Sequence, residues 1–275
     1  MTATQPQPCE IRVGTSGYDY PEWKAAFYPQ ALRRKDFLSF YTQRFDTVEL
    51  NFSYYGMPRA KTLAELVEAA GSGCLFSIKG NRSFTHEVDP ARWRESLAEY
   101  RSALAPLISA GRLGAVLLQF PQSFHYEPER RRYLAELLGE LAELPVVVEF
   151  RNMGWYNNRV FDALRERGVG LVSLDLPKLR GLPPTVDLVT APTAYIRFHG
   201  RNAETWRSGD AALRYAYLYS DEELESWIER VKDIAGKAVR LLIYFNNHFN
   251  GAAPLNAAMF KRLLGDAGAG PGAAP

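Results

Sequence analysis

The sequence predicts a single TIM-type (β/α)8 barrel. Three observations lead there. Eight short apolar runs punctuate the chain, and segments of helical periodicity separate them. The length of 275 residues also suits one barrel domain of about 250 residues with short additions. The predicted strands are Ile11 to Gly14, Thr47 to Asn51, Leu75 to Lys79, Gly114 to Phe120, Val146 to Phe150, Gly170 to Asp175, Ala194 to His199 and Val239 to Asn246. Most are rich in β-branched or aromatic residues and almost continuously apolar, as parallel strands covered on both faces are. Between them, Asp89-Pro90 supplies an N-cap and a first-turn proline before Trp93, Leu97, Tyr100 and Leu104. Leu134, Leu137, Leu138 and Leu141 form a second stripe, and Ser220 with Glu223 forms a capping box before Leu224, Trp227 and Val231. The insertion Asp175 to Pro192 is the least regular part. Without an internal composition break, the domain is expected to run from 9 to 264, with flexible tails at 1–8 and 265–275.

Composition removes several classes. With 47% hydrophobic and 23% charged residues, the chain is neither disordered nor collagen-like. Two cysteines, Cys9 and Cys74, exclude a disulfide scaffold and a cysteine-rich zinc site. A net charge of +2, from 33 basic against 31 acidic side chains, lacks the global pull of a nonspecific nucleic-acid binder. Residues 1–10 have neither the basic nor the apolar region of a secretory leader, and no apolar stretch reaches the ~20 residues of a membrane helix. A cytoplasmic protein with no membrane partner is the expectation.

A barrel gathers its site at the carboxyl ends of its strands. Those ends carry Glu49 and Asn51, Lys79, Gln119, Glu149 and Arg151, Asp175, Arg197 and His199, then Tyr244, Asn246 and Asn247, with Arg201 just beyond the seventh strand. Period-two alternation puts Glu49 with Asn51, Glu149 with Arg151, and Arg197 with His199 on matching faces. A merely solvated rim explains one such residue. It does not explain a set embedded in Val, Leu and Phe, since ionisable groups there are seldom buried without a partner or a function.

The chain resembles the YecE-like proteins, also called the domain of unknown function 72 family. The resemblance rests on Val13-Gly-Thr-Ser-Gly-Tyr18 with Pro21-Glu-Trp23, Thr47-Val-Glu-Leu-Asn51, Phe76-Ser-Ile-Lys79, Thr85-His86 and Leu118-Gln-Phe-Pro121. It continues through Val148-Glu-Phe-Arg151, Tyr195-Ile-Arg-Phe-His-Gly-Arg201, Tyr219-Ser220, Tyr244-Phe-Asn-Asn247 and Gly251-Ala-Ala-Pro254. It implies a TIM-type barrel and leaves the activity open. The family pattern carries Asp where this chain has His248, so His248 is given no catalytic role.

The residues themselves favour an enzyme. Glu49, Glu149, Asp175 and His199 are the acid/base candidates. Asn51, Lys79, Gln119, Arg151, Arg197, Arg201, Tyr244, Asn246 and Asn247 are the binding candidates, for an anionic, phosphorylated or nucleotide-containing substrate. No cofactor is expected. One alternative is a divalent metal on Glu149, Asp175 and His199, as in metal-dependent isomerase and endonuclease barrels, but the surrounding cations oppose it. A non-catalytic ligand or nucleic-acid module is the other. Glycoside hydrolysis needs paired carboxylates, and strands four and seven offer Gln119 and Arg197 instead. Loop aromatics, among them Tyr18, Tyr20, Trp23, Tyr54, Tyr55, Trp155 and Trp206, are candidates for stacking on a ligand. His86 is read as locally hydrogen-bonded, and Arg33-Arg34-Lys35 and Arg130-Arg131-Arg132 as solvated helix faces.

Overall fold

A computed structural model describes residues 8–206 and 211–268. Its strands are β1 (Glu10–Ser16), β2 (Thr47–Leu50), β3 (Leu75–Lys79), β4 (Leu113–Phe120), β5 (Val146–Phe150), β6 (Gly170–Asp175), β7 (Thr193–Phe198) and β8 (Arg240–Phe245). They pair in parallel in sequence order and close as one eight-stranded barrel, β8 on β1. Each predicted run is found, with ends shifted by two residues or fewer.

Alternation divides the strand side chains into two cores. Val48, Ile78, Val116, Leu118, Val148, Ile196, Leu241 and Ile243 face outward into the helix layer. Leu75, Ala115, Leu117, Val147, Val172, Leu174, Tyr195, Leu242 and Tyr244 fill the interior. This is the packed, poreless centre such a barrel requires. It has polar clasps of its own: the Tyr244 hydroxyl lies 2.5 Å from Thr47 Oγ1 and 2.9 Å from Ser77 Oγ. Tyr244 is therefore a rung inside the barrel, below the strand ends, and does not line the mouth cavities as a binding residue there would.

The helical stripes pack as their spacing requires. Leu134, Leu137 and Leu138 are the buried residues of the helix Pro128–Glu140, and both halves of the Ser220–Glu223 capping box are made. The cap at Asp89 is displaced. The amides of Arg92 and Trp93 both bond to the Asp89 carbonyl, so a turn intervenes and the helix begins at Trp93. At the other end the helix Ala252–Asp266 continues past the expected boundary at 264 and stops at Gly268, whose φ is +68°. Of the expected tails, 1–8 and 265–275, residues 1–7 and 269–275 lie outside the described residues. Trp23 and Trp155 are core residues, almost fully buried, and hence unavailable for stacking on a ligand.

Gly14 packs its bare α-carbon against β2. A Cβ there would lie 2.1 Å from the Thr47 carbonyl oxygen, which is backbone and has little room to retreat. Gly14→Ala is therefore expected to cost about 1–3 kcal/mol or more by overpacking. The check is the urea midpoint; an unchanged midpoint would mean that β2 yields without penalty.

Candidate active site

At the carboxyl end of the barrel, interior alternation switches from apolar to charged. Tyr195 is followed two residues later by Arg197, Val147 by Glu149, and Thr47 by Glu49. Arg197 spans the barrel. Its Nη1 donates to Glu149 Oε2 at 2.6 Å and its Nη2 to Glu49 Oε1 at 2.7 Å. The second Glu49 oxygen accepts from the Tyr195 hydroxyl at 2.7 Å. Arg151 Nε closes on Glu149 Oε1 at 2.5 Å. Both carboxylate side chains are wholly buried, and Arg197 nearly so. Burial works to raise the Glu149 carboxyl, but the Arg151 and Arg197 guanidiniums outweigh it and hold it well below the ordinary range.

His199 sits above this cluster. Burial first, and then Arg151, push its pKa down to about 3, against the pull of Glu149. The ring is therefore neutral near pH 7, and its 3.5 Å approach to Glu149 is not an ion pair there. Arg151 Nη2 lies 3.1 Å from Nε2, and Asn246 Nδ2 lies 3.0 Å from Nδ1, so a nitrogen donor group stands beside each ring nitrogen.

Lys79 is bound differently. Its ammonium donates to Gln119 Oε1 at 2.8 Å and stands 4.2 Å from the centroid of the Tyr54 ring. Among the described residues no carboxylate lies within ion-pair distance of it. Burial, then Arg197, lowers its pKa to about 8, with Glu149 and Glu49 pulling the other way. His86 Nε2 lies 3.4 Å from Gln119 Nε2, and burial, then Lys79 and Arg151, brings it down to about 4. His86 also bonds locally, to Thr85 Oγ1, as expected; its other edge faces the cavity.

Two adjoining cavities, of about 560 and 140 Å3, lie over these residues and share Tyr54, Tyr55, Lys79, Gln119, Arg151 and Tyr215 in their walls. The larger is within the roughly 300–1,000 Å3 of small-molecule sites. Asn51, Arg197, Asn246, Tyr20 and His248 complete the smaller, and His86, Trp206 and Arg214 belong to the larger. Among the described residues, the charged groups in these walls are Lys79, Arg151, Arg197 and Arg214, and no Asp or Glu side chain lines either cavity; Glu49 and Glu149 lie behind the cations.

Three residues expected here are elsewhere. Asp175 is one position out of phase: β6 turns Leu174 inward and Asp175 outward, level with the outward Phe198 of β7. Its carboxylate accepts from Tyr219 Oη at 2.7 Å, Trp227 Nε1 at 2.9 Å and Arg201 Nη2 at 2.6 Å. Arg201 also holds Glu223 and is likewise outside the mouth. Asn247 alternates away from Asn246 and bonds to Asn256 and the Tyr217 carbonyl. The expected metal set of Glu149, Asp175 and His199 is thus not assembled, and no other group of three or more His, Cys, Asp or Glu that could hold a metal occurs among the described residues.

Arg214 and Tyr215, by contrast, were not anticipated. They follow β7 at the end of the four-residue helix Ala211–Arg214, too short to show a periodicity in the sequence, so nothing in the local pattern assigns them to the mouth. His248, set aside on sequence grounds, stacks on Tyr20 at 4.9 Å in the smaller cavity.

The family profile described as protein of unknown function DUF72 matches residues 12–275. The chain belongs to the DUF72 family. A DUF72 family protein from Thermotoga maritima is 35% identical to it, over 93% of this chain and 99% of the other, with a TM-score of 0.84. A DUF72 family protein from Enterococcus faecalis is 27% identical over 93% and 95%, at a TM-score of 0.83. UPF0759 protein YunF of Bacillus subtilis is 26% identical over 92% of this chain and 94% of its own. The DUF72 membership and the barrel implied by the ordered motifs are both upheld. No helix among the described residues is long and apolar enough to cross a membrane.

Proposed function

We propose that this DUF72 protein is an enzyme that binds an anionic small molecule in the mouth of its barrel and exchanges a proton with it. The carrying observation is a cavity of small-molecule size whose charged lining, among the described residues, is entirely cationic. Lys79 and Arg151 face the ligand from β3 and β5, and Arg214 closes the rim. Arg197 is neutralised by its two carboxylates and forms the floor.

This reading changes the division of labour expected from sequence. Glu49 and Glu149 have their oxygens committed to Arg197, Tyr195 and Arg151, so they fix the cations in place. His199 is held neutral and orients Arg151. Proton exchange near neutral pH falls to Lys79, whose pKa of about 8 lies nearest the working range.

The test is thermal unfolding in phosphate. At ten times its dissociation constant a ligand adds about 1.4 kcal/mol by linkage, or roughly 3–5 °C in a domain of this size. The increment should fall by more than half in Lys79→Met and persist in Arg130→Met, on the helix Pro128–Glu140. Equal increments in wild type and Lys79→Met would place the anion elsewhere and end this reading.

A further inference from the structure

We infer that Lys79 is a covalent nucleophile, whose side-chain amine condenses with the aldehyde or ketone of an anionic small molecule to form an imine. The inference rests on the anion-binding reading above and adds the chemical class of the substrate. Its basis is an asymmetry among the mouth cations. Arg197 and Arg151 each hold a carboxylate, while Lys79 holds only the neutral amide oxygen of Gln119 and the face of Tyr54. An ammonium used only for charge is best left with a counter-ion. One that is desolvated, bound only to a neutral amide and an aromatic ring, and opposed by two guanidiniums gives up its proton more easily, even with Glu149 and Glu49 drawing it the other way from beyond ion-pair distance. With a pKa of about 8, about a tenth of it is free amine at pH 7, against roughly one part in 2,500 for a solvated lysine.

Geometry supplies the rest. Nζ lies in the wall shared by both cavities, so a carbonyl carbon can approach it from the larger while the anionic group meets Arg151 or Arg214. The nitrogen lone pair forms the new C–N bond as the carbonyl π pair moves onto oxygen. A proton passes from nitrogen to that oxygen, giving a carbinolamine. Solvent water delivers a proton to the hydroxyl, the nitrogen lone pair expels it as water, and loss of the last N–H proton returns that proton to solvent and leaves the imine. One water is released and nothing is oxidised or reduced. Desolvation beside other cations is a known way to activate a lysine for this chemistry.

The experiment is reductive trapping on the full chain. Glyoxylate is the anionic aldehyde, propanal the uncharged control, and cyanoborohydride the hydride source that converts an imine to a stable secondary amine. The sequence contains seven other lysines as internal references. The expected result is carboxymethylation of Lys79 at least roughly tenfold faster than of any other lysine, suppressed by phosphate and much weaker with propanal. Lys79→Arg, which keeps the charge, should abolish it while retaining part of the phosphate stabilisation. Labelling of Lys79 no faster than of the other lysines overturns the imine. If phosphate still stabilises the protein, the anion site survives that failure. If phosphate neither stabilises nor protects while Lys79 is labelled equally by both aldehydes, the nucleophile stands and the anion site falls.

Discussion

Arg197→Met is expected to remove about 3–5 kcal/mol of folding free energy, the usual consequence of breaking a buried ion pair from one side. The reason is the pair of carboxylates it leaves behind. Glu49 loses its only cation and retains the Tyr195 hydroxyl, and Glu149 retains Arg151 alone. Neither carboxylate side chain is exposed to solvent. Urea denaturation measures the loss, and a change below about 1 kcal/mol would show that the carboxylates find water or protons without difficulty. Adding Glu49→Gln and Glu149→Gln to Arg197→Met should recover much of the deficit, because amides cost far less than ions to bury unpaired. The expected contrast with Lys79 is sharp: Lys79→Met removes a desolvated cation that neutralises nothing, and should fold at least as stably as wild type near pH 7.

Stability is expected to fall steeply in mild acid, with His199 as a principal cause. Above about pH 6.5 the imidazole is neutral in both the folded and the unfolded chain, and contributes nothing. Below that, the unfolded chain takes up a proton that the folded chain refuses until about pH 3. Stability is therefore full above 6.5 and declines through this window at about 1.4 kcal/mol per pH unit. His86 acts in the same direction between 6.5 and about 4, with a smaller effect because it is partly solvated. Glu149 adds to it at the acid end: its lowered pKa gives stability that is present above the ordinary carboxylate range and lost as pH falls below it. Chemical denaturation between pH 4.5 and 7 should show the slope, and His199→Gln should flatten it by about 1.4 kcal/mol per unit. An identical slope in that variant would assign the acid sensitivity to other groups.

The barrel and most of its mouth were legible in the sequence because two periodicities coincide. Alternation within β2, β5 and β7 places Glu49, Glu149 and Arg197 inward together, and their apolar neighbours mark them as buried. In β6 the same reasoning fails, since Leu171, Val172 and Leu174 are apolar on both faces and leave the phase undetermined. What sets it is distant. Thr190 caps the Leu171 amide, Ser173 bonds to the Val186 carbonyl, and the partners of Asp175 arrive from Arg201, Tyr219 and Trp227. The neutrality of His199 and the loosened proton of Lys79 were equally beyond the sequence. Both depend on how many guanidiniums converge in three dimensions, not on what adjoins them in the chain.

The seam of the barrel bears on how the chain is made. The β1–β2 ladder is formed only at Thr15 and Ser16, whereas Glu10 through Thr15 pair in register with Arg240 through Phe245 of β8. The lower half of the first strand thus has its ladder partner 230 residues away. At ribosomal rates of about 5–20 residues per second, that partner emerges roughly 10–50 s later. Throughout that interval Ile11 and Val13 sit on an open edge, the kind of surface that recruits other chains. The first strand to be synthesised is the last to be secured, and crowded translation of this protein is most hazardous just before its final strand appears.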